Sequence, residues 1–286
     1  YNMASLGSVL KMLMSVPDAL KSPKPIIAYS LPIKIPKIHM TAARLKIIEV
    51  LNVSGPLSAN ALAKEAGVGT GVIKGLVKIE ALQAINLTPP PLFEEPNWDA
   101  LGPTLSFEQD LAARNMRGSV KEGQFSASVL EGVPGSGKTE VYLEAVCEAL
   151  AQGKQALVLL PEIALGAQWL ARFKERFGCA PAEWHSDLTQ AKRRITWRAV
   201  ATGEAKVVVG ARSALFLPYK NLGVIIIDEE HDQSFKQEDG VIYNARDMAV
   251  VRAKYSEIPI ILASATPSLE SLQNVVLGRY QHFDLP

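Results

Sequence analysis

Gly132-Val133-Pro134-Gly135-Ser136-Gly137-Lys138-Thr139 decides the reading of this chain. The stretch fits the pattern G-x-x-x-x-G-K-[ST] throughout. A triphosphate needs several backbone N–H donors aimed at one place, and a glycine-rich turn lets the backbone come that close. Lys138 can reach the β/γ phosphate oxygens as a point charge, and Thr139 can offer its hydroxyl to Mg²⁺. With Glu140 these residues form the expected nucleotide-binding set, and the positive end of the following helix adds to the field. The flanks agree. Residues 126–131 read as a short buried strand. Residues 139–151 carry Val141, Leu143, Ala145, Val146, Ala149 and Leu150 at helical spacing.

Beyond the loop, strand and helix patterns alternate with little slack. Strands are expected at 155–160, 182–185, 206–210, 222–228 and 259–263, and helices at 163–177, 189–202, 245–255 and 268–277. Continuous apolar runs such as 155–160 mark strands buried on both faces. The expectation is an α/β domain over residues 104–286 with a mostly parallel sheet. Its ligand should lie outside the carboxyl ends of the strands.

The second decisive stretch is Val224-Ile225-Ile226-Ile227-Asp228-Glu229-Glu230-His231-Asp232. Four apolar residues put Asp228 at a strand's carboxyl end, where a carboxylate can hold Mg²⁺ opposite Thr139. Glu229 can then orient and deprotonate an attacking water. His231 is placed to link this site to Ser264-Ala265-Thr266, so Ser264 and Thr266 are candidate coupling residues.

The first ninety residues read differently. A short helix is expected over 3–16. Residues 21–37 alternate Pro23, Pro25, Pro32 and Pro36 with lysines, which disfavours helix. Residues 1–40 are therefore a helix and linker, with edge-strand character near Ile26-Ile27-Ala28-Tyr29. Residues 41–51 form an amphipathic helix with Leu45, Ile48 and Leu51 on one face. Ser58 caps a second helix (59–66), Gly67-Val68 turns the chain, and a third helix runs over 70–80 with Val72, Ile73, Leu76 and Val77 buried. A strand over 82–88 would complete a winged helix over 41–90. Its third helix offers only Lys74 and Lys78 as long polar groups, so sequence readout of DNA and simple packing both stay open. Residues 91–103 are a second linker.

The 286 residues fit about two domains, with 48% hydrophobic residues and a net charge of +1. No global field draws the chain to DNA or to a membrane, so nucleic-acid contact needs local patches. Residues 6–20 are too short and interrupted for a membrane span. Cys147 and Cys179 cannot build a zinc site or a disulfide framework, and a reducing, cytoplasmic setting fits. Residue 1 is Tyr, so a longer parent chain is expected.

An Asp-Glu-x-His stretch followed by Ser-Ala-Thr is the mark of superfamily 2 helicases. The chain resembles, more narrowly, the bacterial primosomal protein N′ family of replication-restart helicases. Gln109 is similar to that family's adenine-recognising glutamine. Residues 160–165 resemble motif Ia, His185-Ser186 and residues 210–216 the Ib region, and Ser264 to Ser268 motif III. The resemblance implies a RecA-like lobe preceded by the winged helix. The activity implied is ATP-dependent 3′-to-5′ unwinding at stalled forks. The implied partners are single-stranded and forked DNA, primosome proteins and single-stranded-DNA-binding protein. Residues 234–243 match the family's aromatic-rich loop, which implies DNA contact by Phe235, Lys236 and Tyr243; the two rings can stack on bases or pack the loop down. Residues 185–220 hold seven Lys/Arg against two acids, and Arg212 and Ser213 are the DNA-contact candidates there.

Departures from the family also matter. Pro134 stands where the family usually has threonine. The family's second lobe with its arginine fingers, its zinc insertion and its terminal domains are not matched by these residues. An arginine finger supplies about 10³–10⁵ in rate, so this stretch is expected to bind nucleotide and hydrolyse it poorly alone. Two other classes stay open: a nucleotide-gated DNA-binding and primosome-assembly module, and another superfamily 2 DNA translocase.

Overall fold

The computed structural model describes residues 5–14, 16, 18–21, 25–34, 36, 39–87, 91–161 and 166–286. The chain divides into two compact units, Lys21–Pro91 and a larger one made of Tyr1–Leu20 with Leu92–Pro286. Helix α1 (Leu6–Leu13) belongs to the larger unit, with Ser5 accepting from the Ser8 N–H as its cap.

The smaller unit contains β1 (Ile26–Ser30), α2 (Ala42–Ser54), β2 (Leu57–Ser58), α3 (Ala59–Ala66), α4 (Thr70–Lys78) and β3 (Gln83–Leu87). The strands form an antiparallel sheet in the order β2-β1-β3. Residues 26–30 were expected in a linker, at most as an edge strand. They are instead the middle strand, pairing Ala28 with Ser58 on one side and with Ile85 on the other. Proline bars helix on either flank but leaves the five residues between free to extend. Ser58 caps α3 as expected, and Thr41, read as the first residue of its helix, instead caps α2. The buried face of α2 is Ile47 and Leu51, however, while Leu45 is 44% exposed. Those two residues join Leu62, Ile73, Leu76 and Leu82 in one apolar core.

The larger unit continues with α5 (Phe107–Glu122), β4 (Ala127–Gly132), α6 (Lys138–Ala151), β5 (Gln155–Leu159), α7 (Ala167–Phe177), β6 (Ala182–Trp184) and α8 (Gln190–Thr202). It closes with β7 (Val207–Gly210), β8 (Leu222–Asp228), β9 (Lys236–Gln237), β10 (Tyr243–Asn244), α9 (Ala245–Tyr255), β11 (Ile260–Ser264), α10 (Leu269–Val276) and β12 (Gln281–Leu285). Seven strands form one sheet, β12-β4-β11-β8-β5-β7-β6, with every pairing parallel. This is the α/β lobe expected from the sequence.

Alternation sorts the strands onto two apolar layers. Val224 and Ile226 of β8 face α5, α6 and α7, while Ile225 and Ile227 face the layer holding α8 and α9. Asp228 follows in the same alternation, so it faces α6. Val16 and Ala19 are buried in the second layer, and Arg198 of α8 ties them down through the carbonyls of Asp18 (2.7 Å) and Ala19 (2.9 Å). Among the described residues no helix is long and apolar enough to cross a membrane.

Candidate nucleotide site and motor motifs

Strand order fixes the site. β11 lies between β4 and β8, so the glycine loop, the Ser264–Thr266 segment and the Asp228–His231 segment leave three adjacent parallel strands at their carboxyl ends. Ligands in open α/β sheets bind at such ends.

Two glycines of the loop have no substitute. A Cβ on Gly132 would lie 2.4 Å from Ser136 Oγ. Gly137 has φ +82°, and its Cβ would lie 2.4 Å from Gln109 Nε2. Lys138 opens α6 and is buried, its Nζ donating to the carbonyls of Gly132 (2.6 Å) and Val133 (3.2 Å). Gln109 is a brace. Its Oε1 accepts from the Ser106 N–H in a capping box at the start of α5, and its Nε2 donates to the Ser136 carbonyl at 2.8 Å. Ser136 Oγ is buried without a protein partner. The loop borders a cleft of about 780 Å³ lined by Leu105, Gln109, Lys138, Thr139, Asp228 and Glu229, among others.

On the opposite wall, Asp228 Oδ2 accepts from the Tyr142 hydroxyl at 2.9 Å and Oδ1 from the Glu229 N–H at 3.1 Å. Burial holds its carboxyl above the usual range. Glu229 sits at φ +51°, in the left-handed region, with its side chain 39% exposed to the cleft. His231 Nδ1 lies 2.7 Å from Ser264 Oγ, and that oxygen also accepts from the Thr266 N–H at 3.0 Å. The histidine thus meets the segment the sequence suggested.

The donor set fits a nucleotide with Mg²⁺. A lysine held only by carbonyls and a glycine cradle line the cleft beside hard oxygen donors on Thr139 and Asp228. No group of three or more His, Cys, Asp or Glu that could hold a metal occurs among the described residues. A cation held by one carboxylate, a hydroxyl and phosphate oxygens is the usual Mg²⁺ arrangement.

The loop side chains behave differently. Phe235 is 1% exposed and Tyr243 7%, with Tyr243 edge-to-face on Phe216 at 5.1 Å. Neither ring is open to a base in this structure: of the two uses left open, both rings here pack the loop down. Lys236 is exposed and paired with Glu238 at 2.8 Å. Arg212 donates to the carbonyls of Ser234 (3.0 Å) and Lys236 (3.2 Å), while Ser213 Oγ accepts from Trp184 Nε1 at 3.1 Å. Part of the basic excess is also spent internally, since Arg193 lies over Trp184 and bonds the His185 carbonyl. Residues 162–165, most of the motif Ia resemblance, lie outside the described residues.

The family whose description is DEAD/DEAH box helicase matches residues 115–275. The chain belongs to that family. Replication restart protein PriA of Rickettsia conorii is 50% identical to this DEAD/DEAH box member over 179 residues, covering 63% of the chain and 27% of that protein. Its counterpart from Chlamydia pneumoniae is 36% identical over 293 aligned residues, covering 98% of the chain and 39% of that protein. The chain thus spans about a quarter to two fifths of these relatives' length, and the resemblance to replication-restart helicases is borne out. In fold, the structure of RecG bound to a three-way DNA junction superposes with a TM-score of 0.50 at 23% identity, covering 65% of this chain and 24% of RecG.

Sequence reading missed four residues of this helicase-family lobe. Tyr142 was hidden within an apolar helix, although it stands one turn after Thr139. Its partner Trp169 donates to it at 2.7 Å. Glu230 read as the free position of motif II. It is buried, accepting from the Ser268 N–H (2.6 Å), Ser268 Oγ (3.1 Å), Ser271 Oγ (3.2 Å) and Arg246 (3.3 Å). Arg246, near the start of α9, also bonds Asp247 at 2.9 Å.

Proposed function

We propose that the larger unit is the ATP-binding lobe of an ATP-driven 3′-to-5′ DNA helicase that acts on stalled or collapsed replication forks and starts primosome assembly. One observation carries this reading: Lys138, Thr139, Asp228 and Glu229 converge on one cleft at the ends of adjacent strands. In it, residues 132–140 hold the phosphates, and Thr139 with Asp228 holds Mg²⁺, which neutralises developing phosphate charge when bound. Glu229 orients and deprotonates the attacking water. His231 and Ser264 carry the state of that site to the Ser264–Thr266 segment. Gln109 selects adenine from its place beside the loop.

Single-stranded and forked DNA are the proposed substrates, with Arg212, Ser213 and Lys236 nearest the strand. The unit Lys21–Pro91 is read as a winged helix, supported by three helices on a three-stranded sheet. Primosome proteins, single-stranded-DNA-binding protein and a zinc site are assigned to the full-length protein, whose setting is the cytoplasm. A single lobe hydrolyses ATP poorly, because arginine fingers come from a second one.

The test is ATP turnover with and without forked and single-stranded DNA, on these 286 residues and on the full-length protein. DNA-stimulated hydrolysis by the full-length protein alone, lost in Glu229→Gln, supports the reading. Fork binding without hydrolysis by either protein overturns it in favour of a nucleotide-gated assembly module.

A further inference from the structure

The Tyr142 hydroxyl has two side-chain partners, one donor and one acceptor. Trp169 Nε1 donates to it at 2.7 Å, and it donates to Asp228 Oδ2 at 2.9 Å. Tyr142 is fully buried and Trp169 is 8% exposed, so water does not compete.

Polarity follows from the chemistry of the groups. An indole N–H can only donate, so the tyrosine oxygen must accept from Trp169 and direct its own proton elsewhere. The carboxylate is the acceptor in reach. One hydroxyl therefore joins α6 to the end of β8 and sets the direction of the Asp228 carboxylate, a candidate metal-side group.

We propose that Tyr142 is a positioning residue for Asp228, and that Trp169 fixes the direction of its hydrogen bond. The inference rests on the nucleotide-site reading above and deepens it. The metal would be held in part by this carboxylate, and a rotation of it would spoil the geometry Mg²⁺ demands.

The experiment titrates Mg²⁺ against binding of a fluorescent N-methylanthraniloyl ATP to the 286-residue chain, with matched titrations in EDTA. Tyr142→Phe should raise the Mg²⁺ midpoint about tenfold, the worth of one hydrogen bond to a charged group. It should leave metal-free nucleotide affinity unchanged. Trp169→Phe keeps Tyr142 in place and should move the midpoint in the same direction by a smaller factor. In an Asp228→Asn background, Tyr142→Phe should add nothing. An unchanged midpoint in both single variants, or equal losses with and without Mg²⁺, would overturn the positioning role while the nucleotide site stands. Absence of nucleotide binding by the unsubstituted chain at every Mg²⁺ concentration would instead sink the nucleotide site, and this inference with it.

Discussion

The cleft at the ends of β4 and β8 and the loop region between residues 212 and 246 hold similar polar side chains put to different uses. In the cleft, bonding capacity is left over. Lys138 holds only carbonyls and the Glu229 side chain is 39% exposed. In the loop region capacity is consumed. Arg212 pins two carbonyls, Glu230 accepts from four donors, and both aromatic rings are buried. Spare hydrogen-bonding capacity in a buried setting is costly unless a ligand meets it, whereas a satisfied network mainly rigidifies. The first region is built to receive a ligand and the second to hold a shape.

The contrast can be broken most severely at Phe235. Phe235→Ala should lower unfolding free energy by about 3–5 kcal/mol in urea melts. A variant that keeps its stability but loses single-stranded DNA affinity would mean the ring serves DNA rather than packing. Glu230→Ala should cost about 3 kcal/mol, because Ser268, Ser271 and Arg246 would all lose the buried carboxylate they share. Nucleotide affinity is the control there, and a change in affinity without a change in stability would move Glu230 into the first class.

Lys138→Ala sharpens the other side. Nucleotide binding should weaken roughly 30- to 100-fold by calorimetry, on the scale of hydrogen bonds to charged groups. The melting temperature without nucleotide should stay nearly constant, since only carbonyl contacts are lost; a large drop would make Lys138 structural. Arg212→Ala should cost about 1 kcal/mol and speed proteolysis between residues 234 and 243. Unchanged cleavage would show that the loop is held by Phe235 alone.

The smallest effect is a pH dependence at Asp232. Hydrogen bonds from Ser234 hold its carboxyl below the usual range. A depressed folded-state pKa contributes stability that is present above the unfolded value and lost as pH falls through the folded one. Asp232→Asn should therefore lower stability slightly at neutral pH and leave it unchanged in acid, so that the two curves converge below about pH 4. A parallel shift of the whole curve would contradict this assignment.

Legibility in the sequence followed burial. Strands sealed on both faces read as apolar runs, and the glycine loop and Asp228–His231 stretch stood beside them, so the sheet and the cleft could be anticipated. β12 could not, because an edge strand with the sequence Gln281-His282-Phe283-Asp284-Leu285 buries little beyond Leu285. β1 was masked by its proline and lysine flanks. Phe235 could not be decided because an aromatic ring among polar neighbours reads equally as bait for a base or as an anchor. Glu230 and Arg246 gave no signal at all, since their pairing spans sixteen residues and depends on how β8 meets α9.

The backbone at Glu229 sets two demands against each other. At φ +51° the chain would be better served by glycine or asparagine, and a long unbranched acid there costs about 1 kcal/mol or more. A chain drifting toward easier folding would therefore shed this carboxylate, and Glu229→Asn should give a sturdier protein than Glu229→Gln. Glu80 and Glu257 share this backbone region at φ +56° and +53°, so it is the place of Glu229 in the cleft, together with its strained backbone, that marks it as a position where chemistry outweighs foldability.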